Sequence, residues 1–254
     1  MPLNPSTPTP SPAIDTRWPA QPIARAAVFR IAMTLAACAL APSAGMAQVG
    51  PTPIEAAAFT GLHAAAQKGD VAQIEKLVAA KADLNARASH GRTPVHVAAF
   101  ARQRDALKAL AKAGADLNLL ENDRYDGVTI ASVDDDEETL RVLLELGASA
   151  KLTTSRYDGT ALIAAAHLGH DGVVRQLIKA GAPLDHVNNL HWTAAIEAVV
   201  LGDGGKRHQA SLKALVDAGA NLQLKDRTGA TPLQLARARG YGEMVKLLEA
   251  AGSK

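Results

Sequence analysis

This sequence of 254 residues contains one cysteine, and aromatic residues make up only 3% of it. A lone cysteine, Cys38, excludes a disulfide framework and any zinc site built on paired thiolates. The shortage of rings, together with frequent alanine, argues against a β-sandwich, whose strands favour β-branched and aromatic side chains. We therefore predict an all-α protein whose helices pack closely through small side chains.

The chain also lacks a strong excess of charge of either sign, since its formal net charge is +2. The first 47 residues hold Arg17, Arg25 and Arg30 against Asp15, which leaves 27 − 3 = 24 basic and 25 − 1 = 24 acidic residues in the remainder. A neutral remainder gives neither the basic footprint of a nucleic-acid-binding protein nor a polybasic membrane surface. We therefore predict neither a nucleic-acid partner nor direct binding to a membrane surface.

Catalytic motifs are missing as well. The sequence contains no G-x-S-x-G, no H-E-x-x-H and no dinucleotide fingerprint. His167 and His170 are three residues apart, but Leu168 and Gly169 between them indicate a helix end, and no third ligand is evident. We predict a non-enzymatic protein without a cofactor or metal; a small-ligand binder or an enzyme is the less favoured alternative.

The first 47 residues have the pattern of an export leader. Residues 1–22 are rich in Pro, Ser and Thr, which predicts disorder. Arg25 and Arg30 then precede an apolar run that ends in the small residues Gly45 and Ala47, as at a signal-peptidase site. The run is too short to span a membrane. We predict cleavage after Ala47 and a periplasmic or secreted protein whose mature part is residues 48–254.

A second interpretation of the leader stays open. The segment Leu35–Cys38, "LAAC", is similar to the lipobox of bacterial lipoproteins. Cys38 would then carry lipid, and the protein would be an adaptor anchored to an envelope membrane. A translation start nearer Val28 is a further alternative.

After residue 50 the chain repeats itself, which predicts a repeat architecture. Six pairs that end in a small residue lie at intervals of 33, 33, 34, 38 and 33: Lys81–Ala82, Gly114–Ala115, Gly147–Ala148, Gly181–Ala182, Gly219–Ala220 and Gly252–Ser253. About twenty residues before them come "TGLHAA", "TPVHVA", "VTIASV", "TALIAA", "TAAIEA" and "TPLQLA". In this pattern the chain resembles the ankyrin-repeat family, whose units carry T-P-L-H-x-A at a period of 33 residues.

The resemblance implies an all-α solenoid of about six helix–turn–helix repeats with finger loops, and local physics agrees. Thr231 can cap a helix that has Pro232 in its first turn, and Gly240 can end it. Thr52 and Glu55 form a capping-box pattern at the start of the array. One helix pair cannot bury its apolar face alone, so the units must stack. The repeats are predicted near 52–84, 85–117, 118–150, 151–184, 185–222 and 223–254.

Two units depart from the pattern. Unit 3 spans 19 residues from Val128 to Gly147, against 21 in unit 4, which predicts a shortened turn at the acidic run Asp134–Glu138. We interpret this run as a solvated helix start, with a cation site as the alternative. Unit 5 gains about five residues within Leu201–Gln209. That insertion predicts a flexible loop between the two helices, with a peripheral contact as the alternative.

The motif "RYDG" occurs twice, at Arg124–Gly127 and Arg156–Gly159. Both copies precede the first helix of a unit, which the resemblance places at finger tips beside the concave partner-binding surface. The Asp-Gly halves predict tight turns in which Gly takes a positive φ. In the next finger, His191 stands where the family prefers Gly, which predicts an altered turn there.

Tyr, Trp and Arg are enriched in interface hot spots, so these fingers are the candidate site. The predicted partner-binding residues are Arg124, Tyr125, Arg156, Tyr157, His191 and Trp192. The alternative is that each ring packs on its neighbouring finger and stiffens it. The resemblance further implies that His63 and His96 hydrogen-bond within and between repeats. The predicted partner is an unidentified protein, and the protein itself is predicted to be a monomer.

Overall fold

The computed structural model describes residues 49–253; the predicted leader, with its signal peptide and the lipobox at Cys38, lies outside the described residues. The described residues form thirteen α-helices: α1 (Pro53–Ala58), α2 (Gly61–Lys68), α3 (Val71–Ala79), α4 (Pro94–Phe100), α5 (Arg104–Lys112), α6 (Gly127–Val133), α7 (Glu137–Glu145), α8 (Ala161–Leu168), α9 (Asp171–Lys179), α10 (Ala194–Val200), α11 (Lys206–Asp217), α12 (Pro232–Ala238) and α13 (Gly242–Ala250). Within 49–253 no helix has the length and apolar character needed to cross a membrane.

The helices from α2 onward form six pairs, which we call units 1 (α2–α3) to 6 (α12–α13). The first helix of each unit packs on the first helix of the next, and the second helices pack in the same order. Short α1 packs on α2 at the start of the array. The prediction of an all-α solenoid with about six repeats is confirmed.

The buried residues explain why the pairs stack. The first helices contribute alanines such as Ala66, Ala98 and Ala165, which are essentially inaccessible to solvent and let neighbouring backbones approach closely. Large aliphatic side chains of the second helices, for example Leu107, fill the space between the two rows. Burial of this apolar surface provides the main driving force for stacking.

Polar side chains fix the start of the first helices. Thr231 and Gln234 form a capping box, with Pro232 as the first helical residue. Thr52 and Glu55 form the predicted box at α1, in which the Thr52 N–H donates to the Glu55 carboxylate at 2.8 Å and the Glu55 N–H donates to Thr52 Oγ1 at 3.2 Å. Each box satisfies backbone donors that the helix leaves free.

The two histidines behave as the resemblance implies. His63 Nε2 lies 3.0 Å from the Arg92 carbonyl oxygen in the next unit. His96 Nδ1 accepts from the Thr93 backbone N–H at 3.1 Å, and its Nε2 lies 3.0 Å from the Tyr125 carbonyl oxygen of unit 3. Because Nδ1 is the acceptor, the proton of the neutral ring sits on Nε2 and is donated to Tyr125. Each ring therefore joins two consecutive units.

The prediction that unit 3 is shortened is wrong. Its first helix is capped by Asp126, whose side chain accepts from the Thr129 N–H at 2.9 Å, so the unit starts two residues before Val128. Measured from this cap, the distance to Gly147 is 147 − 126 = 21 residues, as it is from Thr160 to Gly181. The acidic run thus lies in a turn of ordinary length, where Asp136 caps α7.

The lengthening of unit 5 is confirmed, but the insertion is only partly a loop. Lys206–Gln209 form the first turn of α11, which has 12 residues where α3, α5, α7, α9 and α13 have 9. Both parts of the insertion are held by neighbours: in the loop, the Tyr241 hydroxyl donates to the Gly202 carbonyl oxygen at 2.9 Å, and in the helical turn, His208 Nε2 lies 2.9 Å from the His167 carbonyl oxygen.

An ion pair joins the two irregular regions. Arg207 in the insertion donates to Asp135 in the acidic run at 2.8 and 3.0 Å, across 72 residues of sequence. The same guanidinium lies 3.4 Å from Asp171 of unit 4. Most contacts in a solenoid join neighbouring units. Arg207 instead connects unit 5 to unit 3, so units 3 to 5 are tied together by one side chain.

We expect Arg207→Ala to lower the free energy of unfolding by about 1 kcal/mol at low salt. The side chain is exposed, but its guanidinium forms ion pairs with two carboxylates, and the substitution removes both pairs. The matched control is Arg175→Ala, which removes an ion pair to Asp171 within α9 alone and should cost about 0.3–0.5 kcal/mol. Urea denaturation at low and at high salt measures both variants. Equal losses for the two variants would show that the long-range pair adds nothing.

Candidate partner-binding surface

The fingers are the segments between the second helix of one unit and the first helix of the next. We number them by the unit they precede: finger 2 (80–93), finger 3 (113–126), finger 4 (146–160), finger 5 (180–193) and finger 6 (218–231). In fingers 2, 3, 5 and 6 a backbone hydrogen bond of 2.8–3.0 Å joins residues four apart; one example is Glu121 N–H to the Tyr125 carbonyl oxygen. In finger 4 the equivalent bond joins Thr154 to Gly159, five apart. Finger 4 is therefore one residue longer than the others.

The two RYDG motifs occupy different positions relative to the caps of the helices that follow them. In finger 3, Asp126 caps α6 and Gly127 is its first residue. In finger 4, Thr160 caps α8, so Gly159 lies before the cap and Asp158 lies in the turn. The motifs are 32 residues apart and the caps are 34 apart, so the second motif lies two residues earlier relative to its cap, and the extra residue accounts for one of these two. The two copies are similar in sequence but are not structurally equivalent.

The expected glycine turns are also wrong, because neither Gly127 nor Gly159 has a positive φ. The left-handed residues are Arg124 (φ 67°) in finger 3, and Ser155 (φ 63°) and Asp158 (φ 51°) in finger 4. His191 has φ 63°, close to the 69° of Gly91 at the equivalent place in finger 2. The turn of finger 5 is therefore unaltered, and His191 accepts a backbone conformation that costs a side chain more than glycine.

Backbone hydrogen bonds hold neighbouring fingers together. Asn122 N–H donates to the His90 carbonyl oxygen, Ser155 N–H to that of Arg124, and Asn189 N–H to that of Tyr157, each at 2.9 or 3.0 Å. Fingers 2 to 5 consequently form a ladder with one backbone bond per step. This arrangement fixes the predicted site residues on a continuous scaffold.

The two arginines of the predicted site make ion pairs between fingers 3 and 4. Arg124 Nη1 lies 2.6 Å from Asp158, and Arg156 Nη2 lies 3.2 Å from Asp123. All four side chains are about half exposed, so each pair contributes little to stability. Each arginine of the predicted site is thus neutralised by an aspartate of the neighbouring finger. The aromatic rings are therefore the groups of the site that can contribute most to binding.

The three aromatic residues occupy three consecutive fingers. Tyr125, Tyr157 and Trp192 are each partly buried and partly open to solvent. Burial, assisted by the nearby Asp123 carboxylate, raises the pKa of the Tyr125 hydroxyl. Among the described residues the one close ring–ring contact is Phe59 with His63, so the three finger rings do not stack on one another. Each ring keeps surface that a partner can cover.

Sequence reasoning missed the residues that support these rings. The Glu121 carboxylate accepts from the N–H groups of Asp123 (2.9 Å) and Tyr125 (3.1 Å). Asn188 does the same in finger 5, where it accepts from the Trp192 N–H at 2.9 Å. Both supporting side chains are buried, and burial raises the pKa of Glu121. The sequence does contain a signal for these residues: Glu121 and Asn188 each stand four residues before a ring. An acid or amide side chain at such a place often accepts hydrogen bonds from backbone N–H groups of its own turn.

Comparison with known proteins gives a consistent result. The family described as "Ankyrin repeats (3 copies)" matches residues 42–121 and 128–226. An ankyrin repeat domain from Acinetobacter baumannii AYE is 44% identical, with a TM-score of 0.72, over 76% of this chain and 98% of that one. YahD of Escherichia coli (strain K12), an ankyrin repeat protein by its name, is 35% identical over 74% of this chain and 94% of its own.

A further similarity is to a chain from a complex of Bdellovibrio bacteriovorus. The complex contains a predatory endopeptidase and an immunity protein. The identity is 26% and the TM-score 0.59, over 76% of this chain and 98% of that one.

Proposed function

This chain belongs to the ankyrin-repeat family, and from that premise we propose that it is an exported module that binds a protein partner through fingers 3 to 5 and the concave face. Ankyrin repeats are protein-interaction modules, and the family is generally a non-enzymatic scaffold. The similarity to a chain from an endopeptidase–immunity protein complex supports a folded protein as the partner.

The observation that carries this proposal is the set of three partly exposed rings on three hydrogen-bonded fingers, formed by Tyr125, Tyr157 and Trp192. Large aromatic side chains that are already ordered lose little conformational entropy on binding. They also bury a large apolar area while keeping a polar tip for hydrogen bonds. Such residues dominate the binding energy of protein interfaces.

A photo-reactive phenylalanine analogue placed at Tyr157 tests this surface in cell-envelope extract. The matched control carries the same analogue at Lys108, an exposed position on the second helix of unit 2. We expect one protein to be captured from Tyr157 and not from Lys108. Capture from Lys108 alone, or from both positions equally, would place the partner on another face.

Export is part of the proposal and has its own test. We propose cleavage after Ala47, because the small residues at Gly45 and Ala47 follow the apolar run. Mass spectrometry of the purified natural protein should find Gln48 as the first residue in the periplasmic or secreted fraction. An acylated Cys38 at the N-terminus would replace this proposal with a lipid-anchored adaptor, and an uncleaved cytoplasmic chain would contradict export altogether.

A further inference from the structure

A charged residue occupies one position of a first helix where the other five units have apolar residues. The fourth residue after the cap is Glu197 in unit 5. The equivalent residues of the other units are Ala64, Val97, Ile130, Ala164 and Leu235. Glu197 is nevertheless buried, with only 5% of its surface exposed. Because a buried carboxylate is costly unless neighbouring groups compensate it, the contacts of Glu197 need an explanation.

The first contact links Glu197 to finger 5. Asn188 Nδ2 donates to Glu197 Oε1 at 2.8 Å, and both residues are buried. The oxygen of the same amide accepts from the backbone N–H groups of Leu190 at 3.0 Å and Trp192 at 2.9 Å. Glu197 therefore orients the amide that holds the backbone at Trp192.

This link is particular to finger 5. Five residues before the cap, fingers 3 and 6 have the acids Glu121 and Asp226, which accept from the backbone N–H groups of their own fingers. An ionised acid has no proton to donate, so it cannot bind a second carboxylate on the following helix. Asn188 and Glu197 occur together in the same unit, and their pairing joins the finger to the helix.

The second contact brings a titratable group to the buried carboxylate. His167 Nδ1, near the end of α8 in unit 4, lies 3.2 Å from Glu197 Oε2. The His167 side chain is 32% exposed, so it can exchange protons with solvent. His208 fixes the backbone there, since its Nε2 lies 2.9 Å from the His167 carbonyl oxygen. Histidine side chains change their charge between pH 5 and 8, so Glu197 faces a cation at the acid end of this range and a neutral ring at the other end.

The other titratable groups around this pair have partners of their own. His208 Nδ1 lies 2.8 Å from Asp203. His170 Nδ1 lies 2.9 Å from a backbone carbonyl oxygen and 3.9 Å from Asp135. Arg239 of α12 donates to a backbone carbonyl oxygen at 2.8 Å. Further charged side chains at the same end of the neighbouring helices are Asp134, Asp136, Asp171, Lys206, Arg207 and Arg237. Within residues 49–253, Glu197 is the one carboxylate within ion-pair distance of the His167 ring.

We propose that His167 and Glu197 are positioning residues that make the order of finger 5 depend on pH. In its protonated state, His167 holds the Glu197 carboxylate, which in turn holds Asn188 and, through it, the backbone of Trp192. The proposal deepens the proposed function, because Trp192 is one of the three rings of that surface. Its consequence for partner affinity rests on the proposed function, whereas the order of finger 5 does not.

Proton uptake by His167 strengthens the connection from α8 to finger 5. An imidazolium beside Glu197 balances the buried charge and makes a charge-assisted contact. With the neutral ring the buried carboxylate loses this balance, which favours local opening of the segment that it holds. Finger 5 is therefore expected to open more often at pH 8 than at pH 5. Since a preordered ring binds at a lower entropic cost, the finger surface should bind its partner more tightly at the lower pH.

The backbone N–H of Trp192 reports on this device, since it donates to Asn188. The sequence has two tryptophans, Trp18 and Trp192. In the full chain carrying Trp18→Phe and nitrogen-15-labelled tryptophan, a single backbone amide gives an NMR signal. We expect its protection against hydrogen exchange, corrected for the intrinsic exchange rate, to be about 5-fold higher at pH 5 than at pH 8. Equal protection at the two pH values would overturn the proposal.

Variants in the same background assign the pH dependence to a residue. His167→Gln and Glu197→Gln should each abolish it, because the first removes the titrating ring and the second removes the charge that the ring balances. Finger 5 has two histidines of its own: His186 Nε2 lies 2.6 Å from the Asp158 carbonyl oxygen, and His191 is exposed. His186→Gln and His191→Gln are therefore the matched controls and should retain the pH dependence. A response that survives His167→Gln, or that disappears with His191→Gln, would overturn the proposal.

An exchange of donor and acceptor tests the link from Glu197 to the finger. Asn188→Asp places two carboxylates face to face and should lower the protection of Trp192 at pH 8 about 5-fold or more. The double variant Asn188→Asp/Glu197→Gln again pairs one donor with one acceptor, and its aspartate can hold the turn as Asp226 does in finger 6. It should regain the protection at pH 8. A double variant that is folded by circular dichroism but stays unprotected would contradict the link.

These measurements need no partner, which separates this proposal from the proposed function. Unchanged partner affinity after replacement of Tyr125, Tyr157 and Trp192 by Ala would contradict the finger surface and leave the pH response of the Trp192 amide standing. Equal protection of that amide at pH 5 and pH 8 would contradict the positioning role of His167 and Glu197 and leave the finger surface standing.

Discussion

Replacing Tyr125, Tyr157 and Trp192 together by alanine is expected to weaken binding of the finger partner by about 3–6 kcal/mol. The three rings lie on consecutive fingers whose backbones are already hydrogen-bonded to one another. A partner that covers them gains apolar burial without having to order the loops. Isothermal titration calorimetry with the captured partner measures the loss.

The control for this experiment replaces Gln223, Lys225 and Thr228 of finger 6 by alanine, since these exposed residues lie outside the proposed surface. The helical content and melting temperature of the variant without the three rings distinguish a role of the rings in binding the partner from a role in stiffening the fingers. Unchanged affinity, with or without a lower melting temperature, would mean that the rings serve the fold. A loss of affinity with intact melting supports the proposed contact.

Stability is expected to fall by about 3 kcal/mol between pH 6.5 and pH 4 through His96 alone. Burial lowers the pKa of this ring from 6.5 to about 4. Between these values the unfolded chain binds a proton that the folded protein cannot accept, so folding becomes less favourable as the pH falls. Above pH 6.5 the full contribution is present, and below about pH 4 no more is lost. Denaturant unfolding across this range measures the slope.

His96→Gln is the matched variant, because Gln234 occupies the equivalent position of unit 6 and accepts from the Thr231 N–H there. The glutamine keeps the capping acceptor but cannot titrate. Subtracting its pH profile from that of the natural protein removes the carboxylates common to both. Parallel profiles would show that His96 is not responsible for the acid sensitivity.

Much of the fold was predictable because its determinants are local. A threonine or aspartate cap, a proline in the first helical turn and a closing glycine act within one unit, as Thr231, Pro232 and Gly240 show. The role of His63 and His96 followed from the family resemblance and is confirmed by their bonds to the next unit. Six repetitions of one local pattern then determine the stack.

The remaining features depend on register and on distance. Asp126 replaces threonine as a cap, so alignment by the threonine pattern placed the start of unit 3 two residues late. The two RYDG motifs are identical in sequence, but the second lies two residues earlier relative to its cap, so they are not structurally equivalent. The contact of Arg207 with Asp135 spans 72 residues, and a pattern with a period of 33 contains no information about it. The finger residues themselves stay a prediction until a partner is identified.

Amide hydrogen exchange of the protein with its captured partner tests the central claim most directly. If the partner docks along fingers 3 to 5, exchange should slow at residues 121–126, 154–159 and 188–192 and stay the same in the second helices α5, α7 and α9. Protection confined to those second helices, with the three fingers exchanging as in the free protein, would contradict it.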